Sequence, residues 1–466
     1  MFKSISRFSA FILAISWLMI LMSSHVSFAQ NGTAWDVYPW MTRTEIQAVI
    51  DSAFDGDTVY FHAGTYDWSD APLMKRGDNG GAVNIIEKTL VILGEQGAVI
   101  QGRGSLDPTG GYPEGVDAFY IQDLDLDNDV TFDGLCFQTF LRGITASYIS
   151  VVNIAEDSYI IEPNARNITV KNCSFSDIHR DAISISHVGG NVLIQNNDIS
   201  AARMGSFFDW YWSDSHTAWQ PEDTFIYFLD NNVDVNSGSD GVYFCMTTNT
   251  VVNDNTIQNA KYGIGLVYTR NGAVVSKNSV YNCYQGIHIR GVLPNGVEFE
   301  AEGVVVERNI LYGIRDKGIA ITGNAAYGHT ISKNKIHMIP MIEGDEGLGI
   351  LTVGHDDYFG QNKISGSGNH AFCLWHTGDL TPAHHEVMHA NNVDRFVPRY
   401  CHFYFGPYTH DNLVIGSGMD HNSFGDDGYN NIIKGVTPMT GGIGQALRDA
   451  IADRNEALKE ARKVLF

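Results

Sequence analysis

One six-residue phrase recurs along the chain: Val170-Lys-Asn-Cys-Ser-Phe175, then Ile194-Gln-Asn-Asn-Asp-Ile199, Val252-Asn-Asp-Asn-Thr-Ile257, Val275-Ser-Lys-Asn-Ser-Val280, Val306-Glu-Arg-Asn-Ile-Leu311, Ile331-Ser-Lys-Asn-Lys-Ile336 and Phe359-Gly-Gln-Asn-Lys-Ile364. Looser copies surround Asn231 and Asn391. From Asn197 to Asn391 the asparagines are separated by 34, 24, 23, 31, 25, 28 and 29 residues. A period in the twenties with irregular insertions is typical of a solenoid, in which successive turns of the chain stack on one another.

The phrase predicts strands, because apolar residues alternate over short runs rich in Val and Ile, and Gly or Asn interrupts them before helical spacing develops. Asparagine tolerates a left-handed backbone, and its amide can bond to asparagines in the turns above and below. We therefore predict an all-β parallel β-helix with the asparagines aligned at one corner. The alternative, that Asn marks unrelated hairpin turns, does not account for register kept over so many copies.

The two ends of the chain differ in composition from the repeats. Residues 1–29 have the form of a secretory signal, with Lys3 and Arg7 before an apolar run at 8–22 and small residues before a cut ahead of Gln30. A membrane anchor is the alternative, but the run is short and no stop-transfer charges follow it. We predict one β-helix domain over residues 30–440, secreted or periplasmic. Residues 441–466 favour a helix, either packed on the C-terminal end of the solenoid or used for oligomerisation; we expect a monomer.

The chain carries 30 basic and 53 acidic side chains, a formal net charge of −23. This balance argues against a nucleic-acid or anionic-membrane partner. An acidic glycan stays open, because a cleft can be locally basic or a divalent cation can bridge carboxylates. The six cysteines lack the close spacing of a zinc site. Cys373 and Cys401 are about one turn apart, so a disulfide is an alternative to buried thiols.

The N-terminal region resembles a known fold family. Thr44-Glu-Ile-Gln-Ala-Val-Ile-Asp-Ser-Ala53 has a helical apolar face that opens at a threonine cap, and it leads into Asp55-Gly-Asp-Thr-Val-Tyr-Phe-His-Ala-Gly-Thr-Tyr66. These strings, with the repeats, resemble right-handed parallel β-helix proteins of the pectate-lyase-like superfamily over roughly residues 44 to 435. The resemblance implies that the amphipathic helix plugs the N-terminal end of the solenoid. It is specific for fold and weak for function.

A second phrase, Gly-Ile-x-Ile or a variant, occurs once per turn. With its Ile positions pointing inward, the residue before each copy falls in an exterior column: Arg142, Asp181, Asp240, Tyr262, Gln285, Lys317, Glu346 and His370. Further outward strand positions are Ser184, Ser186, Tyr243, His288, Arg290, Thr322 and Trp375. Such a strip of acids, bases and aromatics is what a groove for an extended polymer requires. The alternative for each residue taken alone is a solvated surface position.

Two carboxylates of this column suggest hydrolysis. Asp181 and Asp240 occupy positions that resemble the catalytic aspartates of polygalacturonase-type β-helix hydrolases. One inserted turn places them two rungs apart, roughly 9.6 Å, at the upper edge of the roughly 6.5–9.5 Å of an inverting hydrolase. The chain lacks that family's doubled aspartate, Gly-His-Gly and Arg-Ile-Lys strings.

Four other residues suggest β-elimination from a uronic acid, which needs carboxylate neutralisation, a base and an acid. His288 and Arg290 share a strand face, and Tyr262 and Lys317 come from the turns before and after. In the alternative interpretation, Arg290 only pairs with acids such as Asp316.

Aromatic residues provide candidate sugar-stacking surfaces. An insertion from Met204 to Thr224 contains Trp210, Trp212 and Trp219, and Tyr243 and Trp375 are outward strand positions. These side chains either stack on sugar rings or pack onto the solenoid wall.

Two groups of residues are candidates for metal binding. Asp123, Asp125 and Asp127 alternate and would share one side of an extended segment, so calcium is a candidate and a solvated acidic rim the alternative. His385 and His389 have the spacing of a helical metal pair, but the Asn391 repeat predicts strand context there.

Two classes of function follow. The first is an exported polysaccharide-active enzyme, and a lyase is preferred to an inverting hydrolase. An epimerase is a further option, because it shares the proton abstraction at C5 with a lyase. The second is a non-catalytic periplasmic β-helix similar to the accessory proteins that mature copper-containing nitrous-oxide reductase. Irregular turns of 23 to 34 residues with aromatic insertions favour a walled cleft and an enzyme.

Overall fold

The computed structural model describes residues 32–72, 81–103, 115–122, 129–147, 167–186, 190–201, 203–209, 211–213, 216–217, 225–236, 239–269, 272–291, 300–323, 325–339, 345–375, 383–415, 424–428 and 430–434. The predicted signal peptide and C-terminal helix lie outside these residues. So do Asp123, Asp125, Asp127, Trp210 and Trp219.

Three long parallel sheets form most of the described chain, and a complete turn contributes one strand to each sheet in the order sheet 1, sheet 2, sheet 3. The first and last turns are incomplete. Sheet 1 has fifteen strands: Ala34–Val37, Asp57–Phe61, Leu90–Gly94, Val130–Asp133, Ile168–Lys171, Val192–Gln195, Ile226–Leu229, Thr250–Asn253, Val274–Ser276, Val305–Glu307, Thr330–Ser332, Tyr358–Gly360, Val387–His389, Leu413–Ile415 and Ile432–Lys434.

Sheet 2 has twelve strands: Gly64–Asp67, Ala98–Gln101, Cys136–Gln138, Ser174–Ile178, Asp198–Ala201, Asn232–Val235, Thr256–Gln258, Ser279–Tyr281, Ile310–Ile314, Lys335–Met338, Lys363–Gly368 and Asn392–Pro398. Sheet 3 has thirteen: Val83–Ile86, Asp117–Gln122, Arg142–Ser147, Asp181–Ser186, Met204–Asp209, Asp240–Cys245, Tyr262–Val267, Gln285–Arg290, Lys317–Thr322, Leu348–Thr352, His370–Leu374, Phe403–Phe405 and Phe424–Asp426. Two short pairs complete the set, Tyr211–Ser213 with His216–Thr217 and Ala301–Glu302 with Ala326–Tyr327.

The parallel pairing confirms the predicted all-β solenoid. Equivalent residues of successive phrases pair directly, as Val252 does with Phe228 on one side and Val275 on the other. These side chains are fully buried, so each column of apolar residues becomes a continuous stack inside the solenoid. Burial of this stack supplies the main stabilisation, because no single turn can cover its own apolar face.

The asparagines form the predicted ladder at the corner between sheets 1 and 2. Asn278 shows the pattern: its Nδ2 donates to Asn309 Oδ1 at 3.0 Å and to the Val252 carbonyl at 2.9 Å. Its Oδ1 accepts the backbone N–H of Asn255 at 3.0 Å and Asn255 Nδ2 at 2.9 Å. The ladder therefore satisfies corner groups that the buried backbone would otherwise leave unpaired.

The left-handed residue of the corner is not the ladder asparagine, contrary to the sequence-based expectation. It is the residue before it, as at Lys277, Arg308 and Lys333, with φ of 56°, 59° and 58°. The side chain of this left-handed residue points to solvent. The amide of the ladder asparagine after it points into the stack. Asparagine is thus required here for its two-sided hydrogen bonding.

One helix, Arg43–Ser52, precedes the second strand of sheet 1. Its N-cap is Thr42, which forms a capping box with Glu45, so the predicted cap at Thr44 is wrong by two residues. Ile46 and Ile50 are buried. Lys88 Nζ donates to the carbonyls of residues 50, 51 and 53 at 3.0, 2.6 and 2.6 Å, which neutralises the C-terminal end of the helix.

All six cysteines are free thiols, and Cys373 and Cys401 are both buried without a disulfide between them. Within the described part of the chain, no helix is long and apolar enough to cross a membrane.

Candidate active site

The exterior face of sheet 3 carries the predicted polar column. Ladder pairing aligns one residue from each strand, in the order Asp117, Arg142, Asp181, Met204, Asp240, Tyr262, Gln285, Lys317, Leu348 and His370. The strand Met204–Asp209 lies between those of Asp181 and Asp240, so these two carboxylates are two rungs apart, roughly 9.6 Å.

Glu346 is not in the column. Leu348 pairs with Lys317, because the Gly-Ile-x-Ile-like phrase of that turn begins at Gly349 and not at Gly347. Glu346 instead lies beside the column, with its carboxylate 2.9 Å from Lys317 Nζ.

Two more columns follow on the same strands. The first contains Thr145, Ser184, Phe207, Tyr243, Gly265, His288, Ala320, Leu351 and Cys373. The second contains Ser186, Asp209, Cys245, Val267, Arg290 and Thr322. Ile287 and Ile289 are fully buried in the core, so His288 and Arg290 point outward by alternation.

Tyr262, His288 and Arg290 contact one another. The Arg290 guanidinium lies over the Tyr262 ring, 4.6 Å from its centroid, and the Tyr262 and His288 ring centroids are 5.4 Å apart. Arg290 Nε donates to His288 Nδ1 at 3.2 Å, and His288 Nε2 is 2.9 Å from Thr322 Oγ1. Since arginine only donates, Nδ1 is the acceptor and Nε2 carries the proton.

His288 is held neutral. Burial lowers its pKa well below the ordinary value, and the positive charges of Arg290 and Lys317 lower it further. Its lone pair is already used by Arg290, so in this arrangement His288 orients the guanidinium and has no free basic nitrogen.

Asp240 is a buried acid on the same face. Its relative exposure is 5%, and Ser239 Oγ donates to Oδ2 at 2.8 Å. Burial raises its pKa from 3.8 to about 6, against the opposing effects of the Ser239 hydrogen bond and of Arg290, Arg203 and Lys261.

Gly265 makes room for this carboxylate. Asp240 Oδ1 lies 3.0 Å from the position that a Cβ of Gly265 would occupy, and Gly265 pairs with His288 on the next rung. The Asp240 side chain therefore extends along the face in the direction of the strand that contains His288.

Lys317 is neutralised by carboxylates. Its Nζ is 2.8 Å from Asp316 Oδ2 and 2.9 Å from Glu346 Oε2, and Gln285 Nε2 also donates to Asp316 at 2.7 Å. Burial lowers the pKa of Lys317, but the two carboxylates outweigh burial and the net shift is upward. Asp316 thus pairs with Lys317 and not with Arg290, contrary to the alternative considered from the sequence.

Asp181 lies in a cluster of arginines. It is 1% exposed, and its Oδ2 is 3.2 Å from Arg180 Nε, 3.5 Å from Arg203 Nη1 and 3.7 Å from Arg142 Nε. Asp117 accepts from Arg142 Nη1 at 3.0 Å and from Thr145 Oγ1 at 2.8 Å.

The predicted aromatic residues occupy different surroundings. Tyr243 stacks on Phe207 with centroids 5.4 Å apart, and Trp375, 39% exposed, lies 5.5 Å from Tyr404. Part of the predicted insertion is itself a rung, since Phe208 is buried and stacks on Phe244. Trp212 belongs to the strand Tyr211–Ser213, and its side chain is outside the description.

Sequence reasoning considers Asp316 only as a partner of Arg290 and assigns no site role to the other residues that come just before the column. Arg180, Arg203, Ser239, Lys261 and Asp316 precede Asp181, Met204, Asp240, Tyr262 and Lys317. The signal was present as a polar residue at this position in five turns. Among the described residues, no group of three or more His, Cys, Asp or Glu side chains has the arrangement of a metal site.

A comparison with protein-family models agrees with the architecture over part of the chain. A family model described as right handed beta helix region matches residues 158–336. The solved alginate lyase from Paenibacillus sp. str. FPU-7 is 14% identical, with 65% of this chain and 94% of that chain covered and a TM-score of 0.45. The A-module of the Azotobacter vinelandii mannuronan C-5 epimerase AlgE6 is 12% identical, covering 88% and 100%, with a TM-score of 0.47. The DFA-IIIase from Arthrobacter chlorophenolicus A6 is 12% identical, covering 87% and 100%, with a TM-score of 0.46. No curated protein sequence matches the chain.

Proposed function

Because this chain is a right-handed parallel β-helix protein, with an arginine, a tyrosine and a buried acid on one exterior face, we propose that it is an exported polysaccharide-active enzyme. Its reaction is removal of the C5 proton of a uronic acid unit, followed by β-elimination. The observation that carries the proposal is the Arg290 guanidinium, oriented by His288 and stacked on Tyr262, on the same face as Asp240.

Arg290 neutralises the substrate carboxylate. A C5 proton beside an uncompensated carboxylate is too weakly acidic to be removed, and a guanidinium can bind that carboxylate with two parallel hydrogen bonds. Among the described residues, Arg290 has no carboxylate within ion-pair distance, whereas Lys317 has two. Arg290 is therefore the cation available to an incoming anion.

Asp240 and Tyr262 divide the proton transfers. Asp240, with a pKa of about 6, is ionised at neutral pH and is a stronger base than an ordinary aspartate, so it accepts the C5 proton. The C5–H electron pair forms the C4–C5 double bond and the C4–O4 bond breaks. Tyr262 donates its phenolic proton to O4, which becomes a hydroxyl of the leaving chain.

His288 and Lys317 take positioning roles. His288 fixes the plane of Arg290 through Nδ1, and Thr322 fixes His288 through Nε2. Lys317 joins Asp316 and Glu346 into an ion-pair network beside Gln285. Tyr243 and Trp375 supply stacking surfaces for sugar rings on the same sheet.

Hydrolysis is the second candidate, and the two-rung separation of Asp181 and Asp240 favours it. Asp181, however, is 1% exposed and its carboxylate is enclosed by ion pairs with three guanidinium groups, so it is poorly placed to reach a glycosidic oxygen. C5 epimerisation shares the first step of the elimination and differs in where the proton returns.

The test is an assay of the mature protein on polyuronates and on neutral glycans, recording unsaturated product and reducing ends together. Elimination raises both in equal amounts on polyuronates only. Hydrolysis raises reducing ends alone, and epimerisation raises neither but incorporates solvent deuterium at C5.

Arg290→Gln should lower kcat/KM by about 100-fold or more, as for loss of a transition-state charge contact. Arg308→Gln is the matched control, because Arg308 is an exposed corner residue with φ of 59° and Gln361 takes the same conformation at an equivalent corner. Wild-type turnover in Arg290→Gln would reject the role assigned to Arg290. No turnover of any glycan by the wild type would reject the enzymatic proposal in favour of an accessory role.

A further inference from the structure

The arginine cluster around Asp181 carries an excess of positive charge. Arg142, Arg180 and Arg203 face only two carboxylates, Asp117 and Asp181, within ion-pair distance among the described residues. The chain as a whole has a formal net charge of −23. A local positive excess in an acidic protein is a feature of an anion-binding surface.

The cluster also has unused hydrogen-bonding capacity. Of its arginine–carboxylate contacts, the Arg142 Nη1–Asp117 contact is 3.0 Å, whereas the three to Asp181 are 3.2 to 3.7 Å. In the described part of the chain, Arg142 Nε, Arg180 Nε and Asp181 Oδ1 are buried without a hydrogen-bond partner. Arg142 Nε and Arg180 Nε are donors, and buried donors in this state favour a ligand that can accept from them.

The cluster is open to the exterior face. The Arg203 side chain is 41% exposed, and those of Arg142 and Arg180 are each 21% exposed. Arg142 belongs to the column of Asp240, and Arg180 and Arg203 immediately precede that column. The guanidinium groups therefore border the same groove as Asp240.

We propose that Arg142, Arg180 and Arg203 form a subsite for the carboxylate of a second uronate unit, two sugar units from the reacting one. The proposal rests on the proposed function and adds a specificity for consecutive uronates. In an extended glycan a pyranose unit advances by about one rung, about 4.8 Å. Alternate units project their carboxylates to the same side. Arg203 directly precedes the strand of Met204, which is two rungs from the strand of Tyr262, and the Arg290 guanidinium lies over the Tyr262 ring.

The electrostatics of Arg180 agree with this assignment. Burial lowers its pKa to about 10, and the charge of Arg142 is the next cause. A bound carboxylate would compensate the repulsion between these guanidinium groups.

Calorimetric titration tests the subsite without requiring turnover. The titrants are tetramers of galacturonate and of mannuronate, with cellotetraose as the neutral probe, and the protein is the Tyr262→Phe variant. In the Tyr262→Phe protein, the second substitution Arg203→Gln should raise the Kd for one of the uronate tetramers by about tenfold to a hundredfold. The Kd with Arg203→Lys should lie between those of the parent and of Arg203→Gln. Arg308→Gln, which changes an exposed arginine far from sheet 3, should leave the Kd unchanged.

A second variant separates this proposal from a catalytic role for Asp181. Asp181→Asn removes one negative charge from the cluster, so it should bind the uronate tetramer more tightly than the parent protein. Uronate binding that depends on Arg203 supports the subsite even if no glycan is cleaved. Equal Kd values for the parent and Arg203→Gln, or weaker binding by a folded Asp181→Asn variant, would overturn it.

Discussion

Replacing Asp240 by asparagine should stabilise the protein above neutral pH while abolishing its activity. The carboxyl group is buried, and its folded-state pKa of about 6 lies above the ordinary 3.8. A group whose pKa is raised on folding contributes stability that is complete below 3.8 and is lost as pH rises through about 6. Asparagine has nearly the same shape, can still accept from Ser239, and never ionises.

The magnitude follows from the pKa difference. A shift from 3.8 to about 6 is about two units, and each unit corresponds to about 1.4 kcal/mol, so wild type loses about 3 kcal/mol between pH 4 and pH 8. We expect Asp240→Asn to equal wild type at pH 4 within about 0.5 kcal/mol. At pH 8 it should be more stable by up to about 3 kcal/mol.

Urea unfolding at both pH values, followed by circular dichroism, measures this difference. Asp316→Asn is the matched control, because Asp316 is equally buried but accepts from Lys317 and Gln285. That substitution should destabilise the protein at pH 8, since it leaves Lys317 with one carboxylate fewer. A stability difference for Asp240→Asn that is the same at pH 4 and pH 8, or a loss of stability at pH 8, would refute the reasoning.

Two further predictions concern turnover and the corner ladder. Tyr262→Phe keeps the ring under Arg290 but removes the proton donor, so steady-state assays on a cleaved polyuronate should show kcat reduced by about 10²–10⁴-fold; an unchanged kcat would exclude Tyr262 as the acid. Asn278→Ala removes the acceptor of the buried Asn255 N–H and a donor to a buried carbonyl, which should cost about 2–6 kcal/mol in urea unfolding. The exposed Asn232→Ala should cost under about 0.5 kcal/mol, and equal losses for the two variants would contradict the role of the ladder.

The sequence was sufficient for the architecture because every turn repeats the same local rules. Alternation of apolar residues determines which side of each strand is buried, and the asparagine column determines where the turns align. The same alternation places His288 and Arg290 outward. Asp240 and Tyr262 reach that face because alternation is broken at the following glycines, Gly241 and Gly263, whose Cβ positions face the core.

Register and side-chain partners came from the tertiary structure alone. Leu348, and not Glu346, occupies the column position of its turn. The sequence alone placed the repeated phrase two residues too early there, and pairing with the strand of Lys317 gives the correct register. Of the arginines around Asp181, Arg180 directly precedes it, but Arg142 and Arg203 come from the neighbouring rungs. Connections of unequal length hide the proximity of these two in the sequence.

What the sequence determined by itself is which residue types face the groove, since period-two alternation and the repeat are local properties of the chain. What only the tertiary structure decided is the chemical state of those residues. The lone pair of His288 is used by Arg290, Lys317 is neutralised by two carboxylates, and burial raises the pKa of Asp240. Each of these depends on hydrogen-bond direction and on desolvation between stacked turns, and neither is encoded in the spacing of residues along one turn.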